Sequence, residues 1–156
     1  MVKISTSKIQ SDLKLLCAAL LFIALSGCGK PPIEPVDIAA EDMCALCKMA
    51  ISEKQYAAEF LNRDGDAFKF DDISCMANYV AEKKAGDSIA AFYVVDFDTK
   101  QWLKAEEANF VASPNFPTPM GGGIVAFKDR PRAEAEAAAN QGRQISFAEA
   151  LGGGKK

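Results

Sequence analysis

The residues with the most chemical potential in this chain carry sulfur. Cys44, Cys47 and Cys75 lie in the body of the sequence, and Met43, Met49 and Met76 each sit within two residues of one of them. Core packing gives no reason for that coincidence, because methionine fills gaps wherever they arise. The segment Cys44-x-x-Cys47-x-Met49 offers two thiolates and a thioether within one short loop. That spacing is open to a thioredoxin-like redox motif, a structural zinc site, a plain disulfide or a Cu(I) site. A redox motif needs a strand before its first cysteine, and nothing upstream of Cys44 reads as one. A zinc site wants four cysteine or histidine ligands, and three cysteines fall short. Cu(I) fits best, since the soft ion accepts two or three sulfur ligands and is selected by thiolate with thioether. The disulfide remains the bland alternative in an oxidising compartment.

Histidine is absent from all 156 residues, His 0. That removes Ser-His-Asp and Cys-His catalysis, two-His zinc proteases and His-ligated haem or copper. Carboxylates are plentiful, but no pair announces itself as acid and base, so the chain reads as a non-enzyme. A net charge of −3 argues against nucleic acid as a partner, which would need a basic face. With 49% hydrophobic and 25% charged residues, the composition is that of one globular domain rather than a disordered chain.

Lys3, Lys8 and Lys14 precede an apolar run from Leu15 to Ser26, followed by Gly27 and Cys28. A positive start, a short apolar core and small residues at its end describe a secretory signal. The run is too short for a span, which takes about 20 residues. Leu25-Ser26-Gly27-Cys28 resembles the bacterial lipobox, so Cys28 is the expected acylated first residue and the lipid bilayer a partner. Gly29 rather than aspartate after it favours an outer membrane in a two-membrane host. Residues 1–27 are thus a lipoprotein signal peptide. Residues 28–42, with Pro31, Pro32 and Pro35, read as an acylated cysteine and flexible tether. A folded domain spans 43–151, and residues 152–156 are a disordered tail.

Within that domain, Tyr56 to Leu61 and Ala67 to Phe70 read as strands around an Asp64-Gly65 turn. Asp71 or Asp72 is placed to cap a helix from about Ile73 to Lys84, whose apolar face holds Met76. Ile89 to Val95 is the most β-like run. Shorter strands are expected at Gln101–Leu103, Asn109–Val111, Ile124–Phe127 and Ile145–Phe147, with a helix starting at Pro131. The order strand, helix, strand occurs twice, over about 56–95 and 124–147. The fold class is α+β, two small ββαβ-like units packed together.

Beyond the Cys-x-x-Cys-x-Met loop, the chain has Phe70-Asp71-Asp72, Tyr93-Val94-Val95-Asp96, Trp102-Leu103-x-Ala105 and Thr118-Pro119-Met120-Gly121-x-Gly123. In these stretches together it resembles the NosL family of nitrous oxide reductase accessory lipoproteins. The resemblance implies a periplasmic, membrane-anchored Cu(I) metallochaperone delivering copper for the copper–sulfur centre of that reductase. It implies the reductase and an ABC-type maturation machinery as partners. It also implies small ββαβ units related to an organomercurial lyase domain. Where relatives use histidine, this chain must complete its site with sulfur, a carboxylate, water or a partner's ligand. Lys48 stands where many relatives have glycine. The expected ligands are Cys44, Cys47, Met49 and Met120, the last in a Pro-Met-Gly-Gly-Gly context that would not bury it for packing. Met43 and Cys75 are secondary candidates, Cys75 reading first as a core residue beside Met76. Asp71, Asp72 and Asp96 read as caps and turn residues. The alternative function is a thiol–disulfide oxidoreductase using Cys44 and Cys47 during reductase maturation.

Overall fold

The computed structural model describes residues 33–152 apart from Lys84. The expected signal peptide, the expected acylation site Cys28 and the tail beyond Gly152 lie outside the described residues. Strand β1 (Ala58–Asn62) turns through Gly65, whose φ of 93° only glycine adopts freely, into β2 (Ala67–Phe70). Helix α1 (Ile73–Lys83) follows, then β3 (Ile89–Val95) and β4 (Trp102–Lys104). The chain continues through β5 (Asn109–Ala112), β6 (Ile124–Phe127), α2 (Arg130–Ala139), β7 (Arg143–Ile145) and α3 (Phe147–Gly152).

All strand pairs within the two sheets are antiparallel, in the orders β2-β1-β3-β4 and β6-β5-β7. Each unit is a ββαβ run with its first strand in the centre and a helix between its second and third strands. The second unit therefore begins at Asn109, not at 124: β5 is its central strand. The sequence placed a strand at 145–147, but β7 stops at Ile145 and Phe147 opens a helix. Ser146 and Glu149 form a reciprocal cap there. The Ser146 amide donates to Glu149 Oε2 (2.8 Å), and the Glu149 amide donates to Ser146 Oγ (3.2 Å).

Strict alternation decides which face of the first sheet is apolar. Phe60 pairs with Phe68 and Phe92 on neighbouring strands, and these rings gather around Tyr79 of α1. Phe147 then bridges the two units, its ring 5.3 Å from Phe92 and 5.8 Å from Phe110 of β5. Cys44, Cys75 and Met76 belong to this main core. A smaller core under α2 holds Val111, Val125, Phe127 and Ala133.

The expected tether is different in its described part. From Ile33 the chain lies on the sheet face opposite α1, with the Val36 amide donating to Glu59 Oε1 (2.9 Å) and the Tyr93 hydroxyl to the Ile33 carbonyl. Proline content reads as tether because it blocks helix and ladder pairing, yet it does not stop a segment from docking through its remaining polar groups.

Asp96 splices the units. Its Oδ1 accepts from the Thr99 amide (2.7 Å) and hydroxyl (2.8 Å), and its Oδ2 from the Lys128 amide (2.6 Å). Beside it Phe97 donates its amide to the Ala126 carbonyl (2.9 Å). Burial works against the charge, but the Thr99 and Lys128 amides hold this carboxyl below its ordinary range. Asp96→Ala should destabilise the fold by about 2–4 kcal/mol in urea, since three donors lose one acceptor. The native protein should also lose stability as pH falls below the free carboxyl value through the depressed one, and the variant should lack that part of the slope.

Candidate metal centre

The loop 43–50 is closed on itself before any metal is considered. The Cys44 amide donates to the Met49 carbonyl (2.8 Å), the Lys48 amide to the Cys44 carbonyl (3.1 Å), and Met43 bridges Ala50 in antiparallel fashion. The Ala45 amide donates to the Lys69 carbonyl (2.8 Å) at the edge of β2. That bond sets the loop beside the end of β2, where Asp71 follows and α1 begins. Lys48 has φ of 63°, a left-handed conformation that glycine takes without a Cβ penalty.

The consequence is a four-residue cluster. One ligand atom from each of Cys44, Cys47, Asp71 and Cys75 lies within 4.8 Å of every other. Cys44, Asp71 and Cys75 are buried and Cys47 is half-buried, so the cluster opens to solvent on the Cys47 side. The three cysteines are free thiols. Cys47 Sγ donates to Asp71 Oδ2 (3.2 Å).

The thiols do not share one acidity. The Cys75 thiol, donating to Cys44, pulls Cys44 down to about 6 against its burial, with the Asp71 and Cys47 amides helping. Burial, with the hydrogen bonds its thiol makes to Cys44 and Asp71, pushes Cys47 up to about 11 against the Met49 amide. Cys75 is pushed up strongly by its bond to Cys44 and by burial. The hydrogen bonds within the cluster thus favour the anion at Cys44 over Cys47 and Cys75.

The predicted methionines form a different set. Met43, Met49 and Met120 stay 52%, 51% and 46% exposed, whereas Met76 is fully buried. Met120 is held by its backbone. Its amide donates to Asp72 Oδ2 (3.0 Å), while Asp72 Oδ1 accepts from the Cys75 amide (2.8 Å) and the Ser74 hydroxyl (2.6 Å). Asp72 is thus the N-cap of α1 and the clamp of the 118–123 loop. Gly122 permits that contact, since a Cβ there would meet Ser74 Oγ at 2.3 Å. The Thr118 hydroxyl closes the loop by accepting from the Gly123 amide (3.0 Å).

Asp71, read from sequence as a cap or turn residue, stands in the cluster instead, and Cys75 belongs both to the core and to the cluster. The signal for Asp71 was its place at the end of a strand before a capped helix, a position whose neighbours only the tertiary fold reveals. Trp102 is half-buried, and its indole reaches Asp37 (3.3 Å).

The sequence model of NosL matches residues 35–151. The chain belongs to the NosL family. Among solved structures, the copper chaperone NosL from Shewanella denitrificans is similar in fold, with a TM-score of 0.70 at 22% identity, covering 76% of this chain and 96% of that one. Comparison with curated protein sequences returns no significant match. The NosL fold here thus carries a site able to hold a thiophilic metal, in which a buried carboxylate adjoins three sulfurs.

Two outcomes test this geometry. Asp72→Asn puts an amide donor against either the Cys75 or the Met120 amide, and should cost about 1–3 kcal/mol with faster hydrogen exchange at 118–123. Lys48→Gly should raise stability by up to about 1 kcal/mol in thermal or urea unfolding, because the strained φ is relieved.

Proposed function

We propose that this NosL-family chain is a Cu(I) metallochaperone anchored to the periplasmic side of a bacterial membrane through acylated Cys28. It delivers copper for the copper–sulfur centre of nitrous oxide reductase, with the reductase and an ABC-type maturation machinery as receiving partners. The observation that carries the reading is the convergence of Cys44, Cys47 and Cys75 within 4.8 Å, in a fold similar to a copper chaperone. Copper is cargo, so the site must take it firmly and give it up.

The donor set supports both requirements. Thiolates at about 2.3 Å from an ion lie about 4 Å apart in a trigonal arrangement, and the cluster needs little closure to reach it. Cu(I) prefers these sulfurs to the Asp71 oxygens. Before the metal arrives, Asp71 serves as the acceptor that holds the Cys47 thiol in place. Exposed Met49 and Met120 add neutral thioethers, which need no deprotonation and which a partner's ligands can displace.

The oxidoreductase alternative loses support at the same place. Thiol exchange needs one thiol both acidic and accessible. Here the acidic thiol, Cys44, is fully buried, and the accessible one, Cys47, is pushed up to about 11. Zinc gains a specific point, because Asp71 supplies the fourth ligand that the sequence lacked, making a Cys3Asp set suited to tetrahedral Zn(II).

Anaerobic titration of the reduced full chain in detergent separates these readings, with Cu(I) and Zn(II) each set against a chelating competitor. We expect one Cu(I) per chain, with Cys47→Ser and Cys75→Ser each weakening it by about tenfold or more and Met49→Ser or Met120→Ser by less. Preferential Zn(II) binding overturns the copper reading, and ready cycling of a Cys44–Cys47 disulfide with no metal bound restores the redox one.

A further inference from the structure

Opposite α1, the first sheet carries a polar row across three strands: Lys69 on β2, Glu59 on β1 and Tyr93 on β3, in direct register. Residues 33–42 lie over this row as a strap. The Glu59 carboxylate accepts the Val36 amide through Oε1 (2.9 Å), and the Tyr93 hydroxyl donates to the Ile33 carbonyl. Lys69 donates to the Asp37 carbonyl (2.6 Å) and pairs with the Asp42 carboxylate. Asp37 Oδ1 takes the Lys54 ammonium (2.7 Å) and the Trp102 indole N–H (3.3 Å).

One atom is left out. Glu59 is fully buried, and its Oε2 is the one buried side-chain oxygen or nitrogen among the described residues with no hydrogen-bond partner. Its cross-strand neighbour Lys69 would be the obvious partner, but Lys69 is spent on the strap. Two arrangements of the same ammonium therefore compete, one holding the strap and one pairing with Glu59.

We propose that residues 33–42 form a proton-controlled latch, docked while Glu59 is neutral and released when an ionised Glu59 takes Lys69 from the strap. A neutral carboxyl tolerates a buried, unpartnered oxygen far better than a carboxylate does. Glu59 faces Lys69, Tyr93 and the strap carboxylates Asp37 and Asp42, with Glu34, Glu106 and Glu107 around the Tyr93 hydroxyl. Burial first, and Asp42 and Asp37 after it, push the Glu59 carboxyl up to about 7, against the Val36 amide and Lys69. The docked state thus binds the proton more tightly than an open state in which Lys69 pairs with the carboxyl and holds it no higher than its free value of 4.5. Docking is strongest below that value, weakens as pH rises to about 7, and is constant above it.

The latch stands whether or not the sulfur cluster carries copper, though the two share Lys69, whose carbonyl ties down the metal loop at Ala45. For a chain anchored at Cys28, docking at Ile33 leaves a reach of about 17 Å, and release as far as Asp42 extends it to about 50 Å. The latch would then set how far the metal site stands from the bilayer.

The test uses the metal-free full chain in detergent. Amide hydrogen exchange of residues 33–42 is measured at about pH 5.5 and about pH 8.5, corrected for intrinsic rates, with fluorescence of Trp102, the single tryptophan, followed in parallel. We expect strap protection to fall about tenfold or more at the higher pH while β1 and β3 stay protected, and the Trp102 signal to shift with the same midpoint. Glu59→Gln, neutral at every pH, should abolish both steps. Equal protection at the two pH values overturns the proposal, as does an unchanged step in Glu59→Gln. Should that variant not fold, Asp37→Asn replaces it: it removes the Lys54 pairing while leaving Glu59, and should release the strap at lower pH. An unmoved midpoint there also overturns the latch.

Discussion

The carboxylate of Asp72 is the point on which the site's construction depends. A helix must satisfy the amides of its first turn, and α1 does so with a side chain whose two oxygens face different parts of the molecule. Oδ1 caps the helix at Cys75, and Oδ2 takes the amide of Met120, which is 48 residues further along the chain. Capping, an ordinary local requirement, here fixes a long-range contact. The same buried turn sets the direction of the Cys75 thiol toward Cys44. Lose the cap and the helix start, the third cysteine and the methionine loop all lose their common reference.

The two ββαβ units show why only one carries sulfur chemistry. In each, the central strand is flanked by the second and third, and the helix covers one face. The first unit has the 43–50 loop fastened against its β2 edge, and its helix starts with a cysteine in the first turn under a buried cap. The second unit starts its helix at Arg130, after an N-cap at Asp129 that makes no side-chain cap bond, with Pro131 in the first turn. Its role is to contribute the 118–123 loop, between β5 and β6, to the neighbour's helix. The site is therefore a product of packing two similar units, with the splice at Asp96 and Phe147 holding them in place.

Much of this was legible in the sequence because it depended on local rules. The 67–70 strand, the 73–83 helix and the Pro131 helix follow from alternation, capping and the 3.6-residue period. The exposure of Met120 follows from glycines on which no regular element can form. The strand expected at 145–147 follows its β-branched and aromatic residues, whereas the Ser146-x-x-Glu149 box starts a helix there. What was not legible depended on which edges meet. Asp71 enters the cluster only because Ala45 pairs with the β2 edge. Cys75 can be both core and cluster because the site is itself part of the core. The strap at 33–42 reads as linker from Pro35 and the prolines just before it, and only the register Lys69–Glu59–Tyr93 reveals the polar row that receives it.

The acidities within the cluster bear on how a site without histidine selects its metal. Three thiolates in one buried pocket would repel each other and lose hydration, and the hydrogen bonds accordingly lower Cys44 while Cys47 and Cys75 are raised. A soft monovalent ion entering past Cys47 meets the anion favoured at Cys44 first and adds one positive charge where one negative charge already sits. Recruiting the remaining sulfurs then requires them to shed protons, a cost that falls on the later steps of binding rather than on capture. A hard divalent ion faces the same proton cost but gains most from Asp71, whose oxygens are already engaged by the Cys47 thiol and the Asp72 amide. Selectivity in such a site comes from which sulfur is poised before the metal arrives, and here it is Cys44, favoured as the anion by the Cys75 thiol.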